Sequence, residues 1–332
     1  MTPGASGAGG GPAGGSPAGA GERGSGPAGP GGSAPGEGIR RPVLRAWLIG
    51  ARLHTLPAAA APVLVGGGLA GWRDGFALWP FLAALAGALL IQIATNFAND
   101  LHDFERGADT DERHGFVRVT QAGLVPPGRV RRWMWAAFAL AFVPGAYLAR
   151  VAGWPVVAVG LASVAAGLAY TGGPFPLAYH GLGEPFVFLF FGLVAVVVTA
   201  YVQTLAFDSS SILAGAGVGA FTTAILVVNN LRDIPTDERA GKRTLAVRLG
   251  EDGSRTEYVL LLAAAAAVPP VGVAAAGWPP AALLALAGVL AAAPAVSKVL
   301  RFEERGELNA ALSETGRAVG LYGLLLAVGL AL

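Results

Sequence analysis

The sequence predicts an all-α integral membrane protein of about nine transmembrane helices. Three observations lead there. Only 13% of the 332 residues are charged while 54% are hydrophobic, whereas a soluble domain of ordinary composition carries roughly a quarter charged residues. Mean hydropathy is +0.57, and the apolar residues fall in blocks close to the ~20 residues that cross a ~30 Å hydrocarbon core. Finally, Lys and Arg concentrate in alternate loops between these blocks, as they do where cations fix the orientation of a chain in a bilayer.

Residues 1–38 are nearly all Gly, Pro, Ala and Ser. They lack the apolar mass to offset ordering entropy and are expected to form a flexible cytoplasmic tail ahead of a membrane domain at 45–332. Arg40 and Arg41 precede an apolar stretch, but Pro42, Arg45 and Arg52 interrupt it. That pattern reads as a retained first helix rather than a cleaved signal. The spans expected in order are 55–72, 77–98, 133–149, 154–170, 186–202, 211–230, 257–276, 279–297 and 316–332. With residues before Trp47 cytoplasmic, the loops Arg106 to Arg132, Arg232 to Arg255 and Lys298 to Arg317 share that side, and only Arg73 and Arg150 fall on the other. The N-terminus is then inside and the C-terminus outside the cell membrane. The same partition accounts for a pI of about 9.1 without a nucleic-acid partner. The chain has no cysteine, which excludes disulfides, thiolate metal sites and a cysteine nucleophile.

The loops after the second and sixth spans resemble each other. The first reads Asn99-Asp100-Leu101-His102-Asp103, then Thr110-Asp111-Glu112-Arg113-His114-Gly115; the second reads Asn229-Asn230-Leu231-Arg232-Asp233, then Thr236-Asp237-Glu238-Arg239-Ala240-Gly241. Four helices separate the copies, so both emerge on one face, as in a parallel repeat of helix groups with one extra span.

These loops carry the chemistry. Gln92, Asn96, Asn99 or Asp100, and Asp103 recur at three- and four-residue spacing and form a polar stripe along one helix. Asn229 and Asp233 repeat the device, with Asp237 at the next step unless Pro235 ends the helix and carries it onto the loop. Charges at helix ends are often no more than solvated interfacial residues. Asn and Asp stripes running back into apolar helices, however, cost free energy on insertion and mark function. Carboxylates and amides are hard oxygen ligands suited to Mg²⁺, which binds one or two carboxylates plus substrate phosphates. The implied partner is a diphosphate, with Arg113, Arg118, Arg239, Lys242 and Arg243 as nearby cations. His54, His102, His114 and His180 read as interfacial or loop residues outside the catalytic set, and Tyr170 as a pocket wall beside the turn Gly172-Gly173-Pro174. Arg52, before Thr55-Leu56-Pro57, is either an interfacial anchor or the holder of an acidic acceptor.

Asn99-Asp100-x-x-Asp103 and Asp233-x-x-x-Asp237 resemble the N-D-x-x-D and D-x-x-x-D motifs of the UbiA-type intramembrane prenyltransferases. Within that superfamily the chain is most similar to the 1,4-dihydroxy-2-naphthoate polyprenyltransferase branch. The similarity rests on Arg52-x-x-Thr55-Leu56-Pro57, Gly107-Ala108-Asp109-Thr110, Tyr170-Thr171-Gly172-Gly173-Pro174, and Asn229 to Asp233 followed by Gly241-Lys242-Arg243-Thr244-Leu245-Ala246. It covers about residues 45–330. Many superfamily members extend the first motif with another Asp where this chain has Gly107. Asp109 and Asp111 both stand near, and the repeat favours Asp111, which matches Asp237.

The resemblance implies a bundle around a central cavity that opens towards the membrane. It implies Mg²⁺ held by Asn99, Asp100, Asp103, Asp111, Asp233 and Asp237, with Asp103, Asp233, Asp237 and Lys242 as catalytic residues. Arg52, Asn96, Arg118, Tyr170, Asn230 and Arg243 are then the substrate-binding set. The implied reaction transfers a polyprenyl group from its diphosphate to dihydroxynaphthoate with loss of CO₂. Alternative readings are a prenyltransferase for 4-hydroxybenzoate or homogentisate, and, from another class, an ion-coupled secondary transporter. Transporter sites lie near the bilayer midplane between broken helices, whereas these carboxylates cluster at helix ends.

Overall fold

The computed structural model describes residues 37–107 and 115–332. Residues 1–36 of the expected tail, and Asp109, Asp111, Arg113 and His114 of the first loop, lie outside the described residues. Ten helices follow in order: α1 Glu37–Ala51, α2 Leu56–Trp72, α3 Leu78–Glu105, α4 Pro127–Ala152 and α5 Trp154–Thr171, then α6 Gly183–Thr204, α7 Ser210–Arg239, α8 Leu245–Ala275, α9 Pro280–Arg301 and α10 Leu308–Ala331. Nine of them, α2 to α10, correspond to the nine expected spans, and there is no strand among the described residues. Among the described residues eight segments are long and apolar enough to cross a membrane, the first counted as Val43–Trp72; the chain is a multi-pass membrane protein. The remaining helix, α10, is 24 residues long and carries Glu314 and Arg317 near its start.

The structure moves several boundaries. The first span is preceded by a separate helix, α1, which begins at Glu37 inside the expected tail and packs on α3 through Ala46, Ala51 and the Trp47–Phe97 ring pair. Helix α3 continues beyond the expected end at 98 through Glu105, so Asn99, Asp100 and Asp103 lie on the helix as the stripe requires, and His102 is helical rather than in a loop. Helix α7 runs past Pro235 to Arg239 and keeps Asp237 on the helix. Pro235 leaves the buried Leu231 carbonyl, four residues back, without its helical partner, and Arg305 Nη1 donates to that oxygen at 2.8 Å instead. Helix α8 bends at Gly250, whose φ is 72°. Helix α9 is assembled from shorter pieces, Pro280–Ala285, Leu286–Leu290 and Ala293–Arg301.

The larger core lies where α7, α8 and α10 meet α2, around Phe221, Tyr258, Tyr322 and Leu326. Small residues permit the close approach of α6 and α7. A Cβ on Gly192 would lie 2.5 Å from both Gly215 O and Gly219 Cα, so the backbones touch across a Gly-x-x-x-Gly face of α7. Gly192 sits in a π-helical stretch, Phe188–Val194, which displaces the following side chains around the helix. As a result Phe190, Phe191 and Val194 face the interior cavity while Gly192 faces α7. A Gly192→Leu variant is expected to lower the melting temperature in detergent, because overpacking against backbone costs about 1–3 kcal/mol; an unchanged melting curve would contradict this packing.

Candidate active site

A cavity of about 730 Å³ lies between α2 to α7. Along α3 its lining runs from Ala84 to Asp103, a rise of about 28 Å at 1.5 Å per residue. Most of its length is apolar, walled by Val63, Phe138, Phe142, Val164, Phe186 and Phe190. The polar groups gather at one end, where α3, α5 and α7 finish and α2 begins.

Helical periodicity settles which residues of the first motif face this end. Gln92, Asn96, Asn99 and Asp103 share one face of α3 and all four line the cavity. Asp100 is turned away and fully buried. Its two oxygens accept from the backbone N–H groups of Val119 (2.9 Å) and Thr120 (3.0 Å). The return segment is thereby fixed, and Arg118, next to Val119, donates to Asp103 Oδ2 at 3.0 Å, with both side chains buried. Both Asp100 oxygens thus serve the loop backbone, and, unlike Asp103, its carboxylate does not line the cavity.

The second motif carries a matching pair. Arg232, 1% exposed, forks onto Asp233 through Nε and Nη2, both at 2.8 Å. Its remaining N–H groups reach Asn229 Oδ1 and Asn309 Oδ1, each at 2.8 Å. Such a planar two-bond pair is the strongest form of carboxylate recognition, and burial makes it indispensable once formed. Leu101 and Leu231, at matching repeat positions, are both buried. Each copy of the motif thus buries its leucine and gives the aspartate two residues further on a guanidinium partner. Asp237 lies 3.7 Å from Lys242, and Lys242 lines the cavity.

The remaining expected residues divide. Asn99 Oδ1 accepts from Thr171 (3.0 Å), and Tyr170 lines the cavity. Asn230 lines it too, donating to the buried Glu184 at 2.8 Å. Asn96 Nδ2 donates to Ala51 O (2.9 Å) and Thr55 Oγ1 (3.0 Å), and Gln92 Nε2 also reaches Thr55 Oγ1 (3.1 Å). Thr55 in turn donates to Arg52 O at 2.9 Å. These bonds hold Arg52 in a left-handed conformation (φ 50°, ψ 60°), a strained state for a side-chain-bearing residue of the sort that gathers at functional sites. Arg52 lines the cavity beside His54, whose ring lies 4.2 Å from that of Phe116. Arg243 is exposed and outside the lining, and Asp233 and Asp237 sit behind it.

Sequence reasoning passed over Arg232, His54 and Tyr179. The repeat held a signal for the first, since Arg232 occupies the His102 position between the motif's leucine and its aspartate. Asn99, Asp103, Asp233 and Asp237 are hard oxygen donors at the end where these elements converge. Among the described residues no three His, Asp or Glu side chains form a metal cluster. Of the four donors, Asn99 and Asp103 line the cavity, an amide and a carboxylate of the kind that Mg²⁺ takes beside water and phosphate oxygens.

An elongated apolar cavity ending in repeated carboxylate motifs and cations defines an intramembrane enzyme for long apolar substrates with an anionic head. The chain belongs to the UbiA prenyltransferase family, which it matches over residues 59–313. It is 42% identical over 287 residues to a 1,4-dihydroxy-2-naphthoate octaprenyltransferase of Mycobacterium tuberculosis, covering 86% of this chain and 96% of that one. Its fold is similar to that of an apo UbiA homolog from Aeropyrum pernix K1, with TM-score 0.61 and 19% identity over 79% of this chain and 96% of the other. A UbiA homolog from Archaeoglobus fulgidus bound to GPP and Mg²⁺ gives TM-score 0.55 and 15% identity, covering 86% of this chain and 100% of that one.

Proposed function

We propose that the protein transfers a polyprenyl group from polyprenyl diphosphate to 1,4-dihydroxy-2-naphthoate, releasing CO₂ and diphosphate, as a step towards menaquinone. The observation that carries this reading is the cavity itself, an apolar tunnel-like space about 28 Å long whose polar end holds the two repeated motifs. The 42% identity to a dihydroxynaphthoate octaprenyltransferase supports the acceptor. The carboxylates lie at the ends of α3 and α7 rather than between broken helices at mid-membrane, which favours an enzyme over a carrier. The charge partition of the loops supports a cytoplasmic site, an N-terminus inside and a C-terminus outside.

The prenyl chain lies along Phe138, Phe142, Phe186 and Phe190, with its diphosphate at the polar end. Asn99 and Asp103 on α3 and Asp233 and Asp237 on α7 would hold Mg²⁺ between them, with water and phosphate oxygens completing its shell, and the metal would supply charge neutralisation for the departing diphosphate. Arg118 and Arg232 hold Asp103 and Asp233 in place, and Lys242 faces the oxygens that receive the departing electron pair. The apolar walls keep water from the allylic cation. Arg52 takes the acceptor carboxylate through its fork, which directs the carboxylate-bearing ring carbon at the cation. A C–C bond forms there, the C–CO₂ bond breaks, and its electron pair restores the aromatic ring. No ring proton has to be removed, so no dedicated base is required.

The test is to incubate membranes containing the protein with Mg²⁺, a prenyl diphosphate and each of dihydroxynaphthoate, 4-hydroxybenzoate and homogentisate, and to identify products by mass. Prenylated naphthoquinol is the expected product; its absence with dihydroxynaphthoate would overturn the reading. Exhaustive chelation is expected to stop turnover and added Mg²⁺ to restore it, because the diphosphate must lose charge before it can leave. Undiminished product after chelation would remove the metal from the mechanism.

A further inference from the structure

Between α5 and α6 the chain turns at Gly173 (φ 74°) and forms a short helix, Leu177–His180. Segment 242–248 clasps this turn from the other side. Arg243 N donates to Tyr179 O (3.1 Å), and Arg248 donates to His180 O (2.7 Å). Tyr179 is thereby brought between the two halves of the repeat. Its hydroxyl donates to Asp103 Oδ1 at 3.2 Å, on the oxygen that Arg118 does not take. Its ring lies 5.3 Å from Lys242 Nζ and 5.4 Å from the Arg106 guanidinium. Arg106 is in turn held by the carbonyl of Gly173.

Two cations share one aromatic ring next to a motif carboxylate, Lys242 lining the polar end of the cavity and the exposed Arg106 standing just outside its lining. Cations within about 6 Å of a ring centroid are attracted by its quadrupole, and this attraction offsets the mutual repulsion of Arg106 and Lys242. The hydroxyl fixes the ring relative to Asp103. An anionic head group arriving there meets cations already gathered and aimed, so less ordering is left to the binding step.

We propose that Tyr179 is a positioning residue that presets Arg106 and Lys242 to receive the diphosphate of the prenyl donor, its ring being the part that matters. The inference rests on the prenyl diphosphate reading of the site.

The test uses the full chain in detergent and compares wild type, Tyr179→Leu and Tyr179→Phe. Binding of a non-ionisable prenyl thiodiphosphate is measured by intrinsic tryptophan fluorescence, and KM is measured for donor and acceptor separately. Tyr179→Leu should weaken analogue binding and raise donor KM about tenfold, the loss of two cation–ring contacts, while acceptor KM stays unchanged. Tyr179→Phe keeps the ring and should stay within about threefold of wild type. Two results would overturn the proposal: Tyr179→Leu with wild-type donor affinity, or Tyr179→Phe as impaired as Tyr179→Leu. Equal rises in both KM values for Tyr179→Leu would reduce Tyr179 to a structural role and overturn it as well. Failure of the wild-type protein to bind the analogue would instead overturn the prenyl diphosphate reading, and this inference with it.

Discussion

Asp103→Asn and Asp233→Asn are each expected to lower prenyl transfer about a thousandfold or more, the kinetic equivalent of losing several kcal/mol of charge stabilisation at the departing diphosphate. Each change exchanges a charged oxygen ligand for a neutral amide of the same shape. The structure adds a second consequence. Arg118 and Arg232 are buried against these carboxylates, and removing one partner of a buried pair typically costs about 3–5 kcal/mol. Both variants should therefore melt earlier as well as turn over slowly. The two effects are separable through Arg232→Gln, which breaks the same pair but leaves the Asp233 carboxylate. That variant should share the lowered melting temperature of Asp233→Asn and keep substantially more activity. Near-normal turnover by Asp103→Asn or Asp233→Asn would remove the two-motif site from the mechanism. Equal activity losses in Asp233→Asn and Arg232→Gln would show that the carboxylate acts only through stability.

How far the site was legible in the sequence depends on which physical signal each residue leaves. The stripe Gln92, Asn96, Asn99 and Asp103 was legible because polar residues at helical spacing in an apolar segment are costly unless they face something. Spacing alone could not choose between Asn99 and Asp100, which are neighbours on the helix. The choice is made by Val119 and Thr120, brought to Asp100 by the return of the chain. Asp237 stays on α7 because Arg305, far along the chain, donates to the Leu231 carbonyl that Pro235 leaves without a partner, a contact that propensity alone does not show. Arg232 reads as one more loop cation until the helix is seen to continue and bury it. Tyr179 leaves no periodic trace, since its position depends on the turn at Gly173 and the clasp by segment 242–248 meeting in space. Helix α1 reads from the sequence only as the approach to the first span, because Arg40, Arg41 and Arg45 interrupt its apolar residues and it is shorter than a span.

The last expectation concerns the acceptor. Dihydroxynaphthoate should be prenylated with one CO₂ released per turnover, and 4-hydroxybenzoate should be a poor substrate. Arg52 is the residue on which this turns. It lines the cavity in a left-handed backbone state, kept there by Thr55, which Gln92 and Asn96 hold from α3. A guanidinium carried on a backbone so fixed can present two parallel N–H groups to a planar carboxylate, whereas an ammonium presents a single point of charge. Arg52→Lys should therefore raise acceptor KM about tenfold or more, on the scale of one charge-assisted hydrogen bond, and leave donor KM nearly unchanged. Asn96→Ala should move acceptor KM in the same direction by a smaller factor, because it loosens the turn without removing the fork. A donor KM that rises with the acceptor KM in Arg52→Lys would place Arg52 on the diphosphate instead. If the product kept its carboxylate, or if 4-hydroxybenzoate were the better acceptor, the dihydroxynaphthoate assignment would fall. Prenyl transfer would then stand on the cavity and the two motifs alone.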